Sequence, residues 1–358
     1  MKILILGGTG AMGSHLVELF ANTETEVFVT SRRGRESKYT NISYFTGDAM
    51  DLDFLRSILV NKWDAIVDFM AYSTGLLASR YELFLNSTDQ YIFLSSSRVY
   101  ANSEEPLTET SPRLLDISID KQYLQTDEYA IAKARQEDIF IKSNYENWTI
   151  IRPYITYAED RLQLGNLEKE SWLSRAVLGK RVILIDDIYN KNTTLTYGLD
   201  VAKGIKAIIG KKETLGHIFH ITSNKTIKWS DVADIYMNVL EEHFGKRPLI
   251  TFVDSSKLID IGYLQYQIIY DRIYNRRFDN SKISNFINVE DFTDPKDGLG
   301  NSLRSFLENK KFGKIYWGLV GREDKLTNEY TPICKIGGFK NKIVYTLCRY
   351  TPIRDNKK

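Results

Sequence analysis

Cysteine is scarce in this chain: 358 residues hold two, Cys334 and Cys348, both near the C-terminus. That excludes a disulfide-stapled scaffold and points to a reducing compartment. Histidine is scarce too, with four in all. Two of them, His217 and His220, sit in an apolar stretch that reads as a strand. Residues three apart on a strand face opposite ways, so no shared metal is expected. No apolar run approaches about 18 residues, so no membrane-spanning segment is expected. The first strand-like run starts at residue 2, so no signal peptide is expected. An excess of one charge is also missing. Lys and Arg number 48 against 46 Asp and Glu, a net charge of +2. That removes any global pull toward nucleic acid or an anionic surface. A chain of this length buries a core without staples. The expectation is a cytoplasmic enzyme.

Over its first 160 residues the chain alternates strand-like and helix-like segments. Strand candidates are Lys2–Leu6, Val27–Thr30, Ile42–Phe45, Ala65–Phe69, Tyr91–Ser95 and Thr149–Arg152, with helical stretches such as Asp53–Val60 and Thr126–Ile141 between them. Such alternation predicts an α/β fold, a Rossmann-type doubly wound parallel sheet. Its most informative piece is Gly7-Gly8-Thr9-Gly10-Ala11-Met12-Gly13, directly behind Ile3-Leu4-Ile5-Leu6. A strand that runs through glycines into a helix can hold a pyrophosphate against backbone N–H groups. A tight turn without a ligand is the alternative.

Two further groupings bear on chemistry. After the second strand comes Ser31-Arg32-Arg33-Gly34-Arg35, where a carboxylate for an NAD ribose would usually stand. Guanidinium groups bind phosphate in a fork, so this stretch favours NADP, with NAD as the alternative. Gly47-Asp48 closes the third strand and offers a carboxylate to an adenine amino group. The second grouping is Tyr129-Ala130-Ile131-Ala132-Lys133, the only Tyr of the chain's 22 followed four residues later by Lys. That spacing puts phenol and ammonium on one helix face, where the cation favours phenolate and helps proton transfer. Upstream, the strand from Tyr91 ends in Ser95-Ser96-Ser97-Arg98-Val99-Tyr100.

Together these residues resemble an extended short-chain dehydrogenase/reductase of the nucleotide-sugar epimerase/dehydratase family, over roughly residues 1 to 285. Arg152-Pro153, Tyr197–Ala202, Gly216–Thr222 and Asp279–Ile283 add to the resemblance. It implies a catalytic set of Ser96, Tyr129 and Lys133. It implies cofactor contacts from Gly7, Thr9, Gly10, Ala11, Met12 and Gly13, from Ser31, Arg32 and Arg33, and from Asp48 and Ala49. Phe69, Met70, Ala71, Tyr129, Lys133 and Pro153 complete that set. Substrate contacts are assigned to Ser97, Tyr100, Arg272 and Arg277, the arginines because a guanidinium can grip a diphosphate. Dehydratases of the family follow the catalytic hydroxyl with Asp-Glu. Here Ser97-Arg98 stands there, so dehydration is rejected. The implied function is NAD(P)-dependent hydride movement at a carbon of a nucleotide-linked sugar. Ketone reduction is preferred to epimerisation with tightly held NAD. A relative repurposed to bind RNA is the distant alternative, and the near-zero net charge speaks against nucleic acid.

Domains are expected at 1–160 for the dinucleotide and at 161–312 for the substrate, strands of the latter returning to the first sheet. Residues 313–358 form a basic extension. From Lys335 onward it holds Lys335, Lys340, Lys342, Arg349, Arg354, Lys357 and Lys358 against one acid, Asp355, and Tyr-Thr-Pro-Ile occurs at 330–333 and 350–353. The extension reads either as packing on its own protein or as a docking segment for an anionic membrane or acidic partner. The sequence leaves the oligomeric state open, a homodimer among the arrangements it allows.

Overall fold

The computed structural model describes residues 1–351. The last cations of the basic extension and the end of the second Tyr-Thr-Pro-Ile lie outside the described residues. The chain forms two compact units. The first comprises Met1–Ala158, Thr194–Thr226 and Arg276–Pro295; the second comprises Glu159–Thr193, Ile227–Asn275 and the chain from Lys296 on.

The first unit is built on seven strands: β1 (Lys2–Leu6), β2 (Glu26–Ser31), β3 (Ile42–Thr46), β4 (Ala65–Asp68), β5 (Tyr91–Leu94), β6 (Trp148–Arg152) and β7 (His217–His220). They lie in the order β7-β6-β5-β4-β1-β2-β3, and every pair is parallel. The order reverses between β1 and β4, the hallmark of a doubly wound sheet. Helices cover both faces, which is why these strands read as unbroken apolar runs. Alternate side chains of β1 serve opposite cores. Ile3 and Ile5 pack with Leu16, Val17, Val201 and Ile205, whereas Leu4 and Leu6 pack with Leu55, Ile58, Leu59 and Phe140. Those partners come from α1 (Gly13–Leu19) and α4 (Gly198–Ile208) on one face, and from α2 (Leu52–Leu59) and α3 (Tyr129–Ile141) on the other.

Helix α3 starts at Tyr129, not at Thr126 as the periodicity suggests. The Glu128 side chain accepts a hydrogen bond from Ala130 N and caps the helix there. A carboxylate at this place satisfies an orphan N–H and complements the helix dipole. The stretch 217–220 returns to the first unit as its edge strand, in register with β6.

The second unit contains a parallel pair, Val182–Ile185 with Ile250–Val253, and an antiparallel pair, Asn192–Thr193 with Ile227–Lys228. Its longest helix among the described residues is α5 (Trp229–Phe244), and α6 (Trp317–Leu326) and α7 (Phe339–Tyr350) follow later in the chain. Among the described residues, no helix is long and apolar enough to cross a membrane.

Candidate active site

Because all seven strands run parallel, the loops after β1 to β5 collect at one edge of the sheet. In open α/β sheets that edge, at the switch point, is where ligands bind. Gly7 holds a left-handed φ of +70° there, and its N–H donates to Thr30 Oγ1 at 3.1 Å. A Cβ on Gly7 would come 3.0 Å from Met70 Sδ, so the turn seats against the chain leaving β4. Gly13 is pressed on the Gly8 backbone, 2.6 Å from any added Cβ to Gly8 Cα. Thr9 and Gly10 crest the turn and are exposed, with only the Gly7 carbonyl near the place of a Gly10 Cβ, at 3.9 Å. Ala11 and Met12 are half-buried. An exposed crest with open space over Gly10 fits a dinucleotide phosphate.

The neighbouring loops fill in around it. Ser31 is buried, its hydroxyl donating to the Arg33 carbonyl at 2.8 Å, while Arg32 and Arg33 are exposed. The N–H of Gly47 donates to the Ser31 carbonyl at 3.0 Å, which ties the end of β3 to that of β2. Asp48 is exposed, with Oδ1 accepting from Met50 N, and Ala49 is buried behind it. Phe69 and Met70 are half-buried and Ala71 is exposed. Pro153 is buried, and its carbonyl accepts from Ser97 N at 2.9 Å.

The second half of the site is organised by Arg98, which sequence reasoning singled out only as a departure from the dehydratase pattern. Its backbone N–H donates to Ser96 Oγ at 3.2 Å. Its guanidinium pairs with Glu128 at 2.7 Å and stacks 5.3 Å from the centre of the Tyr129 ring. One arginine thus links the turn holding Ser96 to the first residues of α3. Tyr129 is 44% exposed, while Lys133, one turn on, is 4% exposed. The Lys133 ammonium donates to the Leu94 carbonyl at 2.7 Å and lies 4.4 Å from the centre of the Phe93 ring. Burial pushes Lys133 down to about 8, against the opposing pull of the Asp68 and Glu137 carboxylates. Asp68 is itself pushed up by burial, eased by hydrogen bonds from Tyr91, Met70 and Tyr72.

Below this surface lies a buried polar network. Glu137, one turn after Lys133, accepts from Arg152 Nε and Nη2, both at 2.7 Å, and from Ser95 Oγ at 2.6 Å. Arg152 also donates to the Tyr100 hydroxyl, which meets His220 Nε2 at 2.7 Å. His220 Nδ1 lies 2.9 Å from the Asp279 carbonyl, which assigns the proton to that nitrogen and leaves Nε2 to accept from Tyr100. Burial lowers the histidine's affinity for a second proton. Two residues expected to touch substrate belong to this interior. The Ser97 hydroxyl donates to the Arg152 carbonyl at 2.9 Å, and both Ser97 and Tyr100 are fully buried. Ser96 is itself 6% exposed, its hydroxyl accepting from the Arg98 N–H.

The arginines assigned to a diphosphate fall in different units. Arg272 is buried in the second, its guanidinium donating to the Asp271 carboxylate and to the Gly165 carbonyl at 3.2 Å. Arg277 is exposed in the first and donates to the Glu104 carbonyl at 2.5 Å. His217 is exposed, and among the described residues no group of three His, Cys, Asp or Glu is placed to hold a metal.

Residues 3–83 match the model of the NAD dependent epimerase/dehydratase family. UDP-glucuronic acid 4-epimerase from Bacillus cereus, solved with NAD, superposes with a TM-score of 0.65 at 18% identity, over 87% of this chain and 100% of that one. The fold is that of the epimerase/dehydratase proteins. dTDP-glucose 4,6-dehydratase from Bacillus anthracis, also with NAD, gives a TM-score of 0.64 at 17% identity, over 87% of this chain and 97% of that one. UDP-glucose 4-epimerase from Bifidobacterium longum, with NAD+ and UDP, gives 0.59 at 17% identity, over 87% and 99%. No curated protein matches the sequence. The resemblance read from the motifs therefore holds over residues 3–83 by sequence and over most of the chain by fold. The glycine turn lies inside the matched segment, whereas Tyr129 and Lys133 lie beyond it.

Proposed function

We propose that this chain is an NAD(P)-dependent enzyme that moves hydride to or from a carbon of a nucleotide-linked sugar, ketone reduction being the preferred direction. The observation that carries this reading is the tie of Ser96 and Tyr129 through Arg98, above a buried Lys133. An exposed phenol at a helix start, with an ammonium one turn beneath, is an arrangement for exchanging a proton with an alcohol or carbonyl oxygen. A nicotinamide bound there would supply or accept the hydride. Tyr129 gives its proton to the carbonyl oxygen as the carbon is reduced, or takes one from the alcohol in the reverse sense. Ser96 orients that oxygen, and Lys133 holds a positive charge beneath the phenol and beside the cofactor ribose. The turn from Gly7 to Gly13 would hold the pyrophosphate, with Asp48 and Ala49 beside the adenine and Phe69 to Ala71 along the ribose.

Dehydration has no support in these residues. Ser97 spends its proton inside the fold and Arg98 is held by Glu128, so neither is an acid–base partner. The exposed Arg32 and Arg33, with Ser31 rather than a carboxylate closing β2, support NADP(H) and a cofactor exchanged each turnover. The similar epimerases were solved with NAD, and one with UDP-glucuronic acid as well. Tightly held NAD would accompany epimerisation here. Mass spectrometry of the purified protein separates the two: retained NAD(H) supports epimerisation, and an empty site with NADPH affinity supports reduction. Absence of binding to either dinucleotide would end the proposal.

A further inference from the structure

The last helix turns its apolar side outward. Along α7, Phe339, Ile343, Leu347 and Tyr350 are exposed by 80, 45, 54 and 67%. At about 100° per residue these four fall in one sector about 80° wide. Tyr345, the buried residue of the helix, points about 160° away from its centre. A helix resting on a globular protein normally does the reverse and buries its apolar stripe.

The helix cannot roll over to hide this stripe, because its other side is fastened down. The Tyr345 hydroxyl donates to Asp324 Oδ2 at 2.7 Å and accepts from Thr331 N at 2.6 Å. Asp324 is fixed in turn by Arg175 at 2.7 Å and Lys180 at 2.5 Å, all within the second unit. A Cβ on Gly321 of α6 would meet the Tyr345 carbonyl at 2.6 Å, so the two helices touch backbone to backbone.

Charge identifies what the stripe faces. Lys340 borders the apolar sector on one side and Lys342 on the other, and between residues 330 and 351 there are four cations and no carboxylate. We propose that α7 is an interfacial helix that docks the protein on an anionic lipid surface. Phe339, Ile343, Leu347 and Tyr350 enter the headgroup boundary while Lys340 and Lys342 meet lipid phosphates. Apolar side chains flanked by lysines on a short helix suit that boundary. A second copy of the chain is a poorer occupant. Self-pairing about a two-fold axis would set these cations against their own equivalents. The exposed face of a three-turn helix also falls far short of the roughly 800 Å² that each partner of a stable protein interface buries.

The test is co-sedimentation of the full chain with vesicles of phosphatidylcholine, alone or mixed with phosphatidylglycerol, with light scattering on the same samples. Wild type should sediment with the mixed vesicles only, and about 1 M salt, which screens charges beyond about 3 Å, should release it. F339S/L347S, which removes two inserted apolar side chains, and, separately, K340E/K342E, which removes two cations near an anionic surface, should each weaken binding at least about 10-fold. Phe339, Lys340 and Leu347 are exposed and Lys342 is half-buried, none of them in the dinucleotide site, so both variants should keep the wild-type dinucleotide affinity and F339S/L347S the wild-type melting temperature. Equal sedimentation with neutral vesicles, or none with anionic ones, overturns the proposal. A dimer that F339S/L347S converts to monomer, without vesicle binding, would assign the stripe to a second copy instead.

Discussion

The guanidinium of Arg98 stacks on Tyr129, 5.3 Å from the ring centre, while pairing at 2.7 Å with Glu128, the residue that caps Tyr129's own helix. The phenol proposed to move a proton is therefore positioned from both its ring face and its backbone. Replacing Arg98 by Gln should lower kcat by about 10-fold, the scale of one cation–π contact in a partly desolvated site. Dinucleotide affinity should be unchanged. Losing the charged hydrogen bond to Glu128 should also cost on the order of 1–3 kcal/mol of stability. Steady-state kinetics with chemical denaturation checks both, and a kcat equal to wild type would show that Tyr129 is positioned without Arg98.

Lys133 ties activity and stability to pH in opposite senses. Its folded value is about 8 and its ordinary value 10.5, the lowering caused by burial. Between those values the unfolded chain carries the extra proton and the folded chain does not, so this group's contribution to stability rises with pH. Turnover that needs the ammonium falls over the same window. Melting temperature and kcat measured from neutral to alkaline pH should diverge in wild type. In Lys133→Met the rise in stability should vanish, with turnover lost throughout. A wild-type profile flat in both quantities would contradict a buried, titrating Lys133.

Arg32 and Arg33 bear on cofactor choice. Changing both to Ala should weaken NADPH binding by about 10- to 100-fold, on the order of 1–3 kcal/mol for lost charged hydrogen bonds, and leave NADH nearly untouched. Titration calorimetry with both dinucleotides reads the difference. Equal losses would remove the arginines from the 2′-phosphate.

The sheet was legible because strands covered on both faces are short apolar runs between helical patterns, and all six strand candidates match observed strands to within a residue at either end. The start of α3 was misplaced by three residues, because Glu128 rather than Thr126 supplies the cap. The glycine turn was legible because glycine takes Gly7's positive φ without strain and leaves room for Gly13's contact with the Gly8 backbone. Residue type does not tell that the Ser97 hydroxyl donates to the Arg152 carbonyl, a tertiary contact fifty-five residues away. In the sequence Arg98 stands out only for what it replaces. Its pairing with Glu128, thirty residues away, is a tertiary contact that local pattern does not carry. The outward stripe of α7 was visible as interleaved cations and apolar residues, but its direction required knowing that Tyr345 is the anchored side.

The most direct measurement of the central claim is a single-turnover assay of reduced-nicotinamide absorbance, with the purified protein, NADPH or NADH, and a panel of nucleotide-linked keto sugars. It is run side by side with Tyr129→Phe. The account predicts oxidation of the reduced cofactor by wild type with at least one such sugar. It predicts a loss of about 10²- to 10⁴-fold in Tyr129→Phe, the usual worth of a positioned proton donor, with cofactor affinity preserved. Near-normal oxidation in Tyr129→Phe with the substrate that wild type turns over would contradict it.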